Sequence, residues 1–454
     1  VPHTALHLLL ADDAGPVLPD GATEAQEANF LGVGRLRTSY LGDPGGAPDD
    51  LAAQGWGLVL PDDSDVAGVL AALAPLIAAR EHELGRPMPP PYLVPRDLES
   101  PEDWLDDVYG ATSVPEPLRP RYLLLVGDLD ALPVGLQQAL SSVAWAGRVV
   151  GDLDALAAYA EKVAATASLA PAPPPVHLFP VQDGTIATTI ACSRWLSPLG
   201  RRLQAGELGP AQVHLPPEQL WDLRDLRGRH GVLFTTSHGH HAGTTGDYLR
   251  LQGAPHLHAY TGGVLTPEDL LAEPFLPGGI WTMVACHGGG MVRDSLFRPW
   301  MERTWGIPLP RDLQGALTSL APGGRPFVSG IVRAALAHPQ GPAAVIAHVD
   351  TAWTYAFESP TDRTGSPQVM LDMVQALLAR RRAGVVHRVM VDHCRSWDQR
   401  LDRLARDAVR RGLSPDELAL EARLRIMRAD LGSYLLFGDP AARAVGAATR
   451  PFTL

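Results

Sequence analysis

"GVLFTTSHGHH" (residues 231–241) runs from buried-type residues straight into a His-Gly pair. Five consecutive apolar or β-branched residues, with no alternation of polar positions, read as a strand covered on both faces. That is the signature of a parallel sheet. The polar-glycine ending reads as the turn at the strand's carboxyl end. The same grammar returns in "GIWTMVACHGGG" (279–290), where the residue at the strand end is a cysteine, Cys286, 48 residues after His238. That separation leaves room for a helix and sets the two segments as neighbouring strands.

Working outward, the unit recurs. "PRYLLLVGDLDALP" (120–133), "VHLFPVQD" (176–183), "PFVSG" (326–330) and "AAVIAHVD" (343–350) all read as strands. Helical stretches lie between and around them: "GDLDALAAYAEKVAATASLA" (151–170), "PEQLWDLRDLRGRH" (217–230) and "SPQVMLDMVQALLARRR" (366–382). Strands alternating with helices predict an α/β sheet, mostly parallel. The tail is predicted helical, with Ser414 as an N-cap and Asp416 and Glu417 in the first turn. It ends in "YLLFGDPAARAV" (434–445), whose Gly-Asp-Pro is expected to be a turn before the last strand. The proline run "APAPPP" (170–175) can continue neither helix nor central strand. It divides the chain into an N-terminal α/β subdomain, residues 1–169, and a larger subdomain, 176–454, with a helical C-terminal region. The hexamer "GDLDAL" occurs at 127 and 151 with nothing similar around it and is read as coincidence rather than a repeat.

Composition narrows the class. The chain has 454 residues, 46% hydrophobic and 19% charged, with a formal net charge of −12. This is a globular composition with length for more than one core. No basic patch stands out, so no nucleic-acid partner is expected. "VAGVLAALAPLIAA" (66–79) is short for a membrane span and holds Pro75, so no membrane partner is expected. Three widely spaced cysteines, Cys192, Cys286 and Cys394, form no CxxC and fit a reducing cytoplasm. Cys192 and Cys394 are expected to be packing residues or surface thiols. Trp281 is expected in the core.

The chemistry concentrates at two strand ends. In open parallel sheets, functional groups gather at the carboxyl edge. A thiol and an imidazole there suffice for attack on a carbonyl: His238 takes the proton of Cys286 and later returns it to the leaving amine. Gly239 lets backbone approach closely, and its N–H with that of Cys286 is expected to form an oxyanion hole. No metal site is expected, because "HGHH" lacks the aspartate that would complete a ligand set. No GxSxG elbow appears. No cofactor is implied.

The His-Gly and Ala-Cys strand ends, in that order and at this spacing, resemble the caspase-like clan of cysteine peptidases. "YLLLVGDLDALP", "GRVVGDLDALAAYAEKV" (147–163) and "LLFGDPAAR" are similar to the gingipain-type family within it, over about residues 120–445. His287, directly after the cysteine, departs from that pattern. The resemblance implies a caspase-like, mostly parallel sheet flanked by helices and a bacterial, cytoplasmic endopeptidase acting on a protein or peptide substrate through a His238–Cys286 dyad. It also implies cleavage after a basic residue seated on a carboxylate. Asp183, at the end of "LFPVQD", is the first candidate for that S1 role. Asp350 is the second, with Trp353 walling the pocket. The alternative is a catalytically silent module on the same fold that binds a regulatory protein partner in a bacterial signalling or defence system.

Overall fold

The computed structural model describes residues 4–6, 18–22, 46–111, 115, 118–167, 172–208, 213–214, 222–242, 245–259, 262–298, 301–302, 308, 324–354 and 368–446. Its centre is one ten-stranded sheet. The strands, in chain order, are β1 (Trp56–Pro61), β2 (Tyr92–Val94), β3 (Tyr122–Val126), β4 (Trp145–Val149), β5 (Val176–Pro180), β6 (Val213–His214), β7 (Val232–Thr236), β8 (Ile280–Val284), β9 (Ala344–His348) and β10 (Tyr434–Gly438). Their order across the sheet is β2-β1-β3-β4-β10-β9-β8-β7-β5-β6. β1 to β4 run mutually parallel, as do β5 to β9; β10 runs antiparallel to β9.

The uniform apolar runs have the expected cause. β3, β5, β7, β8, β9 and β10 are buried at all five positions. Successive residues feed opposite faces of the sheet. One face carries a single core spanning both halves, with Leu58, Leu124, Leu233, Trp281, Val345 and Phe437. The other face has two separate cores. Phe234, Ile280, Ile346 and Leu436 lie in the larger; Val59, Leu123 and Leu125 lie in the smaller. Each fully buried side chain of this kind contributes about 1.5–3 kcal/mol of transfer free energy.

The linker falls between the Leu153–Ala167 helix and β5, yet the sheet continues across it. The last strand closes the gap. β10 lies between β9 and β4, and meets β4 through a single residue pair, Phe437 with Arg148. Side chains supply what that short ladder lacks. Gln137 Nε2 donates to Leu436 O at 2.9 Å, and Arg148 Nε donates to Gln137 Oε1 at 2.9 Å. The seam requires Gly147: a Cβ there would sit 2.2 Å from Gly438 O.

Gly438 ends β10 and Asp439-Pro440 follow it; among the described residues no strand comes after this turn, where one was expected. Asp439 is fully buried and fastens the two halves. Its Oδ1 accepts from Trp56 Nε1 at 3.0 Å, and its Oδ2 accepts from Arg80 Nε at 2.8 Å. Its backbone N–H donates to Tyr159 Oη, which donates in turn to Ala343 O.

Other expectations shift. The 66–79 run is two helices, Val66–Ala72 and Ala74–Leu84, because Pro75 starts the second. Of 217–230, the described part holds only the 3-10 turn Leu223–Leu226, capped by Asp222. "PFVSG" contributes Phe327–Val328, which pairs with Gly290–Met291 in a separate two-stranded ribbon. The C-terminal helix Pro415–Gly432 opens on the expected cap, a reciprocal box between Ser414 and Glu417.

The chain's only lysine, Lys162, is buried. It donates to the carbonyls of Leu336 (2.6 Å), His338 (3.0 Å) and Ala335 (3.4 Å) at the end of the Gly330–Ala337 helix. Cations are favoured at such ends, where carbonyls lack intrahelical partners. Burial lowers the ammonium's pKa to about 7. Between that value and the unfolded value of about 10.4, the unfolded chain binds the extra proton, so this residue makes stability rise with pH. Lys162→Met is expected to flatten that rise, measured as the urea midpoint from pH 6.5 to 9.5. It is also expected to cost about 1–3 kcal/mol by orphaning the carbonyls.

Candidate functional site

β7 and β8 pair in parallel with Thr236 opposite Val284. Two residues on, His238 and Cys286 leave the sheet at the same level, since the 48-residue separation equals the register offset. Ser237 N donates to Val284 O at 3.0 Å and holds the two exits together. Gly239 is essential to the approach. A Cβ there would lie 1.9 Å from Cys286 O and 3.1 Å from Cys286 N. The close approach that the glycine permits is thus to the cysteine's own peptide. This places the Gly239 and Cys286 backbones side by side.

The turn after the cysteine is tightly specified. His287 adopts φ 56°, a left-handed conformation unusual for a side-chain-bearing residue. Its N–H donates to Asp350 O at 2.8 Å, and Gly289 N donates to His348 O at 2.8 Å. Burial lowers the His287 pKa to about 4, so its imidazole is neutral.

His238 is partly exposed, its side chain 41% accessible. Its Nε2 lies 2.8 Å from Thr185 Oγ1 and 3.6 Å from Asp183 Oδ2. Asp183 follows β5 and sits in a turn that opens the Ile186–Ala191 helix. Its Oδ1 accepts from Thr188 Oγ1 (2.7 Å), Thr185 Oγ1 (2.9 Å) and Thr185 N (3.1 Å). Burial alone would raise this carboxyl. The hydrogen bonds from Thr188 and Thr185, with His238 nearby, outweigh it and hold the carboxyl below its usual range. The structure thus sets Asp183 beside His238.

Cys286 is enclosed. Its thiol donates to Ala352 O at 3.6 Å. Burial pushes its pKa up; the Ala352 bond opposes this, while Asp430 and Asp350 add to it. Asp350 itself is 1% exposed. Its carboxylate accepts from Thr351 N (2.7 Å), Leu296 N (2.8 Å) and Ser295 Oγ (2.9 Å). Those three donors leave this carboxylate an internal brace for the 350–354 segment. Trp353 leans on Phe297, ring centroids 5.7 Å apart, and its backbone N–H donates to Asp430 Oδ1 at 2.9 Å. Asp430 is in turn paired with His348 at 3.2 Å, both fully buried. Trp281 is core, its Nε1 donating to Thr235 Oγ1.

Sequence reasoning did not single out Thr185, His256, His348 or Asp430. An Asp-x-Thr-x-x-Thr pattern at a helix start could have pointed to Thr185 and Thr188. Single histidines and a helical aspartate carry no such local signal. Among the described residues, no group of three or more His, Cys, Asp or Glu is arranged to hold a metal ion, and no helix is long and apolar enough to cross a membrane.

No family model matches this chain, and no curated protein matches it either. Among solved structures, the crystal structure of the Arg-specific cysteine proteinase gingipain R is similar at TM-score 0.45 and 12% identity, over 88% of this chain and 80% of that chain.

Proposed function

We propose that this chain is a cysteine peptidase of caspase-like architecture in which His238 is the general base and Cys286 the nucleophile. The observation that carries this reading is the in-register pairing of β7 with β8, which brings an imidazole and a thiol off adjacent strand ends with Gly239 against the Cys286 peptide. In the proposed reaction, the Cys286 thiolate attacks the scissile carbonyl and His238 holds the abstracted proton. The Gly239 and Cys286 amides receive the oxyanion, and His238 returns its proton to the leaving amine. Asp183 supports the imidazolium as a fixed negative charge, oriented by Thr185 and Thr188.

The expected preference for a basic residue is not carried into this proposal. Asp183 serves His238 and Asp350 is saturated by internal donors, so neither offers a free carboxylate to a guanidinium. The proposal therefore assigns the bond type and leaves the side chain before it unassigned.

One observation favours the second reading, a catalytically silent binding module. The thiol is half-buried and hydrogen-bonded to Ala352 O, and its surroundings push its pKa up. A peptidyl acyloxymethyl ketone panel with varied first residues separates the two. Site-resolved labelling of Cys286, blocked by His238→Ala, supports the peptidase. Labelling confined to the half-exposed Cys192, or unaffected by the His238 change, supports the silent module.

A further inference from the structure

Asp183 Oδ2 faces a second imidazole. His256 Nδ1 lies 3.8 Å from it, against 3.6 Å for His238 Nε2, and the two rings are 5.7 Å apart between centroids. His256 Nδ1 is buried and has no hydrogen-bond partner. Its position is fixed through the strand end it serves. His256 N donates to Ser237 Oγ at 3.2 Å, and Ser237 Oγ donates to His238 O at 2.9 Å. The other oxygen of Asp183 is filled by Thr185 and Thr188. One carboxylate oxygen thus stands between two titratable rings.

We propose that His256 is a positioning residue that competes with His238 for Asp183, and so decides how much of that carboxylate's charge reaches the base. Facing His256 are Asp183 from the turn after β5 and His238 and His240 from the segment after β7. On its own hairpin, His258 is turned to Asp222, 3.7 Å away, and Arg224 holds that carboxylate at 2.6 Å. No second carboxylate is therefore supplied to the pair from these groups.

The consequences follow from charge. Near neutrality His256 is uncharged, because burial and its histidine neighbours disfavour its proton more than Asp183 favours it. Asp183 then serves His238 alone. As the pH falls, a proton on His256 takes the shared oxygen and repels the His238 imidazolium. The two rings titrate as a coupled pair rather than as independent groups. At this separation a like charge shifts a neighbour by about one pK unit.

The test uses the full chain carrying Cys286→Ala, with the His238 ring proton followed by NMR and assigned through His238→Gln. The parent is expected to show a main step and a second inflection at lower pH. His256→Phe should abolish the second inflection and leave a single step; Asp183→Asn should move the main step to lower pH. If the phenylalanine does not fold, His256→Gln is read through loss of the second inflection. A His238 curve unchanged by either His256 variant overturns the proposal. The inference rests on His238 as the base, but the NMR readout does not need activity. In the active protein the acid limb of kcat/KM should lose the same second inflection in the His256 variant. Coupled rings in a chain without peptidase activity would leave the pairing standing and remove the proposed reaction.

Discussion

Replacing Cys286 by alanine is expected to lower peptide cleavage by more than about a thousandfold while leaving the fold intact. The change deletes one sulfur at a half-buried site, so little packing is lost. What disappears is the atom that would form the covalent intermediate, and removing a member of such a catalytic unit typically costs three to six orders of magnitude. His238→Ala should be comparably severe. The thiol has its pKa raised by burial, so without a base almost none of it is thiolate at neutral pH. The measurement is kcat/KM on a quenched peptide library, with urea midpoints confirming folding. Full activity in a purified Cys286→Ala preparation would exclude this nucleophile. Loss in the cysteine variant with none in the histidine variant would leave Cys286 as nucleophile and move the base elsewhere.

The largest effect on stability is expected at Asp439. It is fully buried and accepts both Trp56 Nε1 and the Arg80 guanidinium, whose side chain is 3% exposed. Asp439→Ala leaves that guanidinium buried with one carboxylate fewer. Breaking a buried pair from one side typically costs about 3–5 kcal/mol, because the remaining charge keeps its desolvation penalty. Arg80 also contacts Glu83, which limits but does not replace the loss. The residue lies at the seam, so the failure should be specific. β10 should loosen from β4, and hydrogen exchange at Leu435–Phe437 should speed up more than at β7 or β8. Uniform acceleration across the sheet would show instead that the halves unfold together. An unchanged urea midpoint would show that Glu83 alone satisfies Arg80.

Legibility in the sequence followed the range of the interactions. Helix and strand identities came from local pattern. Uniform apolar runs announced β3, β5, β7, β8 and β9, and Ser414 with Glu417 announced a cap, because both signals lie within a few residues. That His238 and Cys286 follow neighbouring strands at the same level was also legible. Strand-end chemistry and a spacing equal to the register are properties of the one-dimensional chain once a parallel sheet is assumed.

Other features depended on partners distant in sequence. Asp183 reads locally as a strand-exit carboxylate; only the fold shows that its free oxygen meets His238 and His256. Asp350 reads the same way, and only the fold supplies Ser295 and Leu296 to seal it. The proline linker suggested two units, but one strand from residues 434–438 joins their sheets, and Asp439 reaches Trp56 and Arg80 across more than 350 positions. The sequence by itself determined the α/β class, half of the strands of the sheet and the level at which imidazole and thiol emerge, since hydrophobic period and turn chemistry act over short distances. Tertiary structure alone decided what each buried carboxylate touches and that the halves form one sheet. Those outcomes depend on which distant groups desolvate together, and no local pattern encodes that.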